Sequence, residues 1–343
     1  MKNKIAVIKE PYNIELCDQD LRQMADNEAI IKVKSSSICG SDLHLYKGKH
    51  PSVKLPSTVG HEFSGDIISI GKQNNGFKVG DRVVLEPIIN CGECPQCLSG
   101  NYGLCEKATF NYRVGDGAMA NYVVCRTEHL FKLNDNISYD KGALIEPLSV
   151  ASRGVKRSGV NKDDKVLVFG AGTIGLFIVA ILKQKGVEDI TIVDFADKRL
   201  LAGKDLGAKY TINPKDKDIL EELNKIQNKG YNVAFECIGK QETFNTCLQV
   251  LQTNGVLLQV GIFENPNVTF DISRIISKQL TIKGSQGYNN DFEESLKLAE
   301  QLDLDKLITH VYTLDQINEA FDCALNASKT NALKVLIHPN KED

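Results

Sequence analysis

The sequence predicts an α/β protein with two domains, a strand-rich, barrel-like domain followed by a doubly wound parallel sheet. Three observations carry this. At 343 residues the chain exceeds what one core comfortably fills. Residues 1–150 break into short apolar or alternating runs divided by Gly and Asn, the pattern of short antiparallel strands. From Lys165 onward, strand and helix patterns alternate, which points to a parallel sheet covered on both faces.

In order, strands are expected at Ile5–Ile8, Ala29–Val33, Thr58–Ile70, Gly80–Ile88, Met119–Cys125 and Leu130–Leu133. A short helix is expected at Asp42–Tyr46, with Ser41 available as its cap. Helical spacing begins after Ser138 and runs to Arg157. Next come strand Lys165–Phe169, helix Ile174–Lys185, strand Ile190–Asp194 and helix Asp197–Leu206. Further strands lie near Tyr210 and at Val233–Phe235, Val256–Val260 and Leu280–Lys283. The remaining residues return to helix and strand, and the pattern alone leaves open which domain they join.

Bulk properties narrow the function. The chain is 42% apolar and 25% charged with a net charge of −3, and no long basic run offers a footprint for nucleic acid. The longest apolar stretch, Ile174–Leu182, is too short to span a membrane. At the N-terminus, Lys9-Glu10 interrupts any secretory apolar segment, so a cytoplasmic protein acting on a small molecule is expected. In a reducing compartment its ten cysteines read as metal ligands where they cluster and as buried thiols where they do not.

Gly170-Ala171-Gly172-Thr173-Ile174-Gly175 follows a strand and opens a helix, the setting that makes a glycine-rich loop a dinucleotide site. Gly170 allows the tight turn, Gly172 a close approach of the pyrophosphate, and Gly175 close packing of helix on strand. The phosphates would rest on the free N–H groups of the helix N-terminus. Asp194 closes the next strand, where its carboxylate can accept from ribose hydroxyls and repel a 2′-phosphate, favouring NAD. Lys198 and Arg199 nearby are cations that could instead serve a 2′-phosphate.

Cys91, Cys94, Cys97 and Cys105 offer four thiolates within fifteen residues, a closed tetrahedral set suited to a structural zinc. An iron–sulfur cluster is the alternative. Cys39, His61, Glu62 and Glu146 form a second group, whose mixed donors suit a zinc that keeps a position open for water or substrate. Adjacent side chains on a strand point to opposite faces, so Glu62 can share a metal with His61 only if the chain bends after Gly60. Glu146 precedes Pro147, a favoured first helical residue, and either binds the metal or holds its water. Asp42 could accept from the His61 ring, while Ser41 and His44 could relay a proton outward.

The order Cys39-Gly-Ser-Asp-x-His44, Gly60-His-Glu, four-cysteine lobe, Glu146-Pro-Leu-Ser-Val and Gly170-Ala-Gly-x-Ile-Gly resembles the zinc-dependent medium-chain dehydrogenases. The stretch Ala143–Val150 is most similar to the sorbitol (L-iditol) dehydrogenase branch. The resemblance implies a GroES-like catalytic domain at 1–152, rejoined by 290–343, and an NAD-binding domain at 153–289. It implies two zincs per chain, one on Cys39, His61 and Glu62 with Glu146 acting through or beside its water. It also implies NAD contacts at Ile174, Asp194, Arg199, Val260-Gly261-Ile262 and Ser285-Gln286-Gly287, oxidation of a polyol, and a homotetramer or dimer. Two polyol-contacting groups of sorbitol dehydrogenases, a tyrosine and an arginine, are replaced here by Leu45 and Gly287. Related branches act on threonine, 2,3-butanediol, cyclitols and sugar-alcohol phosphates, and for a phosphate Lys47, Lys49 and Lys54 are candidate cations.

Overall fold

The structure, a computed structural model, describes residues 1–50 and 52–340; positions 341–343 of the expected returning segment lie outside the described residues. It divides into two compact units, Met1–Pro147 with the segment from Phe292 onward, and Leu148–Asp291.

In the second unit six parallel strands lie in the order Tyr210–Ile212, Asp189–Val193, Lys165–Phe169, Tyr231–Glu236, Leu251–Gln259, Thr281–Gly284. The chain starts in the middle and winds outward in both directions, so the order reverses between Lys165–Phe169 and Tyr231–Glu236. Val166, Leu167 and Val168 are fully buried in succession because helices cover both faces of the sheet. Helix Thr173–Gln184 buries eight consecutive residues, Gly175 to Leu182, which explains a run apolar all the way round.

The first unit is built on an antiparallel sheet whose centre is Glu28–Ser37, flanked by Glu62–Ile70 and Tyr122–Arg126. The returning strand Lys334–His338 adds to the same central strand, with Leu336 opposite Ser37, and Ser37 in turn lies opposite Glu62. Residues almost 300 positions apart in sequence are thereby laid side by side. One apolar core lies inside this sheet around Ile31, Val33, Phe63 and Val123. Another joins Ile8, Leu45 and Tyr46 to Phe321 of the C-terminal helix Ile317–Leu325, with the Tyr46 and Phe321 rings 5.1 Å apart.

Three local expectations are corrected. Strand Asn13–Asp20 was not expected, because its apolar alternation is confined to Ile14 and Leu16, with only Ile14 buried, and its outer half is acidic. The run Thr58–Ile70 is two strands, Ser57–Thr58 and Glu62–Ile70, separated at Gly60. The helix carrying Glu146 begins at Ile145, so Pro147 is its third residue, still within the turn whose N–H groups lack helical partners.

Gly175 is the tightest point of the second unit: a Cβ there would stand 1.9 Å from the Gly170 carbonyl oxygen. Gly175→Ala should therefore destabilise the protein by about 1–3 kcal/mol, read as a lowered thermal midpoint.

Candidate active site

The chain places Cys39, His61 and Glu62 on one point. Cys39 follows the central strand and caps the helix Gly40–Tyr46, displacing Ser41 from the capping position into the first turn. His61 and Glu62 follow Gly60, whose φ of +93° belongs to the left-handed region that glycine alone enters without strain. A Cβ on Gly60 would press to 2.8 Å on the Met119 backbone nitrogen. This turn suspends strand alternation, so one donor atom each from Cys39, His61 and Glu62 lies within 4.8 Å of the others. Tetrahedral donors about 2.0–2.3 Å from a zinc stand about 3.3–3.8 Å apart, so small side-chain shifts suffice to close on an ion.

Neighbouring groups prepare the trio. Asp42 accepts the Cys39 backbone N–H through Oδ2 at 2.9 Å and sets Oδ1 3.5 Å from His61 Nδ1. Burial works against charge on His61, but Asp42 and Cys39 outweigh it and hold the imidazole well above its ordinary pKa. Burial, with Glu62 alongside, pushes the Cys39 thiol up. A metal cation replaces the His61 proton and stabilises the thiolate, so binding will release protons. Glu146 stands in the first turn of its helix, 7% exposed, outside the trio of closely set donors. Ser41 and His44 lie one turn apart on Gly40–Tyr46, both partly exposed.

The four clustered cysteines form a second constellation. Sγ separations are 3.5 Å for Cys94–Cys97 and Cys91–Cys105 and 3.9 Å for Cys91–Cys97, close to the about 3.8 Å expected for thiolates around zinc. A two-stranded ribbon, Ile88–Ile89 against Thr109–Phe110, closes the lobe at its base. Gly92 and Gly100 turn the chain through positive φ.

In the second unit every expected dinucleotide residue but Arg199 sits at or a few residues beyond the carboxyl ends of the parallel strands, where open α/β sheets bind ligands. Gly170, Gly172, Ile174 and Gly175 follow Lys165–Phe169. Gly172 caps the helix without a side chain, and a Cβ there meets nothing within 4 Å, so the cap residue puts no side chain over the helix N-terminus. Asp194 follows Asp189–Val193 and spans the loop, accepting from Ala171 N–H at 2.8 Å and Ala196 N–H at 2.9 Å. Arg199 lies on the next helix, Asp197–Asp205. Val260-Gly261-Ile262 follow Leu251–Gln259, and Ser285-Gln286-Gly287 follow Thr281–Gly284.

The alcohol dehydrogenase GroES-like domain matches residues 25–135 and the zinc-binding dehydrogenase domain residues 173–301. The sorbitol dehydrogenase of Bacillus subtilis is 33% identical over 98% of both chains. The D-arabitol-phosphate dehydrogenase of Enterococcus avium is 33% identical over 95% of this chain and 94% of its own. The crystal structure of 2R,3R-butanediol dehydrogenase from Bacillus subtilis superposes with a TM-score of 0.90 at 33% identity, covering 98% of this chain and 100% of that one. The chain belongs to the zinc-binding medium-chain dehydrogenases.

It is a dehydrogenase of the sorbitol-dehydrogenase-like branch. In this zinc dehydrogenase, two participants gave no signal in the sequence. Lys334, in the returning strand, donates to Glu62 Oε2 at 2.5 Å and to the Ile38 carbonyl at 3.1 Å. Glu236, fully buried at the end of Tyr231–Glu236, accepts from Gly239 N–H at 2.9 Å, Thr243 Oγ1 at 2.7 Å and Gln259 Nε2 at 2.5 Å. Its backbone carbonyl takes the Val260 and Gly261 N–H groups at 2.9 Å each, so one residue fixes two strand-end loops. Leu45, by contrast, is 1% exposed in the core and serves packing. No helix of the described residues is long and apolar enough to cross a membrane.

Without metal, backbone N–H groups of Cys97 and Glu106 lower the Cys94 thiol to about 6, whereas burial and then Cys94 raise that of Cys97. Backbone hydrogen bonds lower the Cys91 thiol as well, and a lowered thiol is thiolate more readily, so after chelation Cys91 and Cys94 should be alkylated before Cys97. Peptide mapping after brief iodoacetamide treatment checks the order, and metal reloading should suppress it.

Proposed function

We propose that this protein is an NAD-dependent dehydrogenase that oxidises a secondary hydroxyl of a polyol to a ketone. The observation that carries the reading is the mixed thiolate–imidazole–carboxylate trio of Cys39, His61 and Glu62, which leaves a tetrahedral zinc a further position. Bound there, zinc would supply a Lewis acid for the substrate hydroxyl, and a bound nicotinamide would supply the hydride acceptor. Cys39, His61 and Glu62 would hold the metal, and Glu146 would orient water or hydroxyl beside it. Asp42 fixes the His61 ring and the Cys39 backbone at once. Ser41 accepts the hydroxyl proton and His44, one turn on, passes it outward. The four-cysteine lobe would hold a second, structural zinc.

For the cofactor, Gly172 and the free N–H groups of its helix receive the pyrophosphate, and Asp194 faces the adenosine ribose. Asp194 already accepts two backbone N–H groups, so its charge is fixed where a 2′-phosphate would need to sit. That favours NAD over NADP, with Arg199 on the adenosine side and Val260–Ile262 and Ser285–Gly287 completing the site. The small-molecule substrate and a homo-oligomeric state complete the reading.

A second substrate reading is favoured by Arg113. Its guanidinium lies 5.2 Å from the Phe110 ring centroid and 5.7 Å from that of Tyr112. Those rings stand 6.1 Å and 5.5 Å from the His61 imidazole. A cation on the aromatic wall beside a metal ligand suits a sugar-alcohol phosphate, the substrate type named for the Enterococcus avium relative.

Reduced-nicotinamide formation from sorbitol, xylitol, galactitol 1-phosphate, threonine and 2,3-butanediol, with and without chelator, tests both readings. Turnover of a secondary alcohol that chelator abolishes is expected; its absence across the panel in zinc-loaded protein defeats the proposal. Cys39→Ser should end turnover while dinucleotide binding, followed by fluorescence, persists. If a phosphate ester is preferred, Arg113→Ala should lower its kcat/KM at least tenfold, about 1.4 kcal/mol, and spare neutral polyols.

A further inference from the structure

Lys334 is 3% exposed and its partner Glu62 1% exposed, so this is an ion pair wholly withdrawn from water. Lysine is seldom buried without a partner that needs its charge. Here the register supplies the partner. Ser37 lies opposite Glu62 and Leu336 opposite Ser37, so the strand bearing Lys334 runs past the carboxylate. Glu62 Oε2 receives both the Lys334 ammonium and the Ser37 hydroxyl, while the Ile38 carbonyl anchors the ammonium from the side of Cys39.

We propose that Lys334 is a positioning residue that occupies one oxygen of Glu62 and so restricts this carboxylate to a single oxygen toward the metal. The inference rests on the metal reading above. Its consequence concerns coordination number. A carboxylate free at both oxygens can bind zinc through two atoms and fill the position substrate needs; one with Oε2 already taken cannot. Charge leads to the same result. Thiolate, Glu62, Glu146 and the buried Asp42 carboxylate leave the group anionic around a dication with neutral His61, and Lys334 reduces that excess. The ammonium and the metal therefore compete for the same carboxylate charge, and the lysine keeps the metal held less tightly than its ligands alone would hold it.

The test measures metal retention in the full-length protein by equilibrium competition with a chromophoric chelator, alongside the visible spectrum of the cobalt-substituted form. Lys334→Met should raise retention at the Cys39 site about tenfold, move the cobalt spectrum toward higher coordination and lower turnover. Its metal-free form should lose more thermal stability than its loaded form, because only there is Glu62 left buried and unpaired. Lys334→Arg, which keeps charge and donors, should restore the wild-type spectrum and retention. If Lys334→Met does not fold, Lys334→Gln, which keeps a donor and drops the charge, should change retention in the same direction. Unchanged or weaker retention with an unchanged cobalt spectrum would overturn the inference. Cys39→Ser separates the two layers: retention of both metals in that variant sinks the underlying metal reading, whereas loss of one with no Lys334 effect sinks only the lysine's role.

Discussion

The arrangement of the first unit depends on one backbone conformation. Gly60 turns through the left-handed region between two strands, and because of that turn two consecutive side chains, His61 and Glu62, converge on the Cys39 thiol instead of diverging. Any residue with a side chain would strain the turn and strike the backbone at Met119. The interruption of the sheet is thus what creates the candidate metal centre. The neighbouring strands do the rest: Ser37 meets Glu62 across the ladder, and the helix begun at Cys39 returns Asp42 to both ligands.

The second unit uses a different device for a comparable end. Its strands are regular, and function collects where they stop. The sheet order reverses beside the glycine loop, the place where open α/β sheets take ligands, and Gly172 puts no side chain over the helix that starts at Thr173. Two carboxylates brace that edge through backbone N–H groups. Asp194 ties the glycine loop to the next turn, and Glu236 joins its own loop to the one after Leu251–Gln259. Loops held in this way meet a ligand already ordered, which spares the entropy of arranging them on binding.

Most of this was legible in the sequence, for reasons that also explain what was not. Strand Lys165–Phe169 and helix Thr173–Gln184 could be read almost to the residue, because a parallel strand buried on both faces is continuously apolar and a glycine loop marks its end. The need for a bend at Gly60 followed from side-chain alternation alone. The acidic strand Asn13–Asp20 was hidden because a strand with one buried residue carries no periodicity. Leu45, which stands where sorbitol dehydrogenases carry a polyol-contacting tyrosine, lies in the core and offers no polar group there. Lys334 and Glu236 lay beyond sequence reasoning for a common cause. Each acts through pairings set by tertiary register, and a lone Lys or Glu in a strand looks like any solvated charge.

The parallel between Lys334 and the returning strand has a consequence for assembly. Cys39, His61 and Glu62 are brought together by nearby segments of chain, whereas the cation that balances Glu62 arrives only when Lys334–His338 closes the sheet. The strand that covers Glu62 is thus also the one that brings its cation, so the carboxylate is never buried in this sheet without Lys334 beside it. Closing the sheet and supplying the buried counter-charge to Glu62 are therefore one structural event, carried by the same five-residue strand.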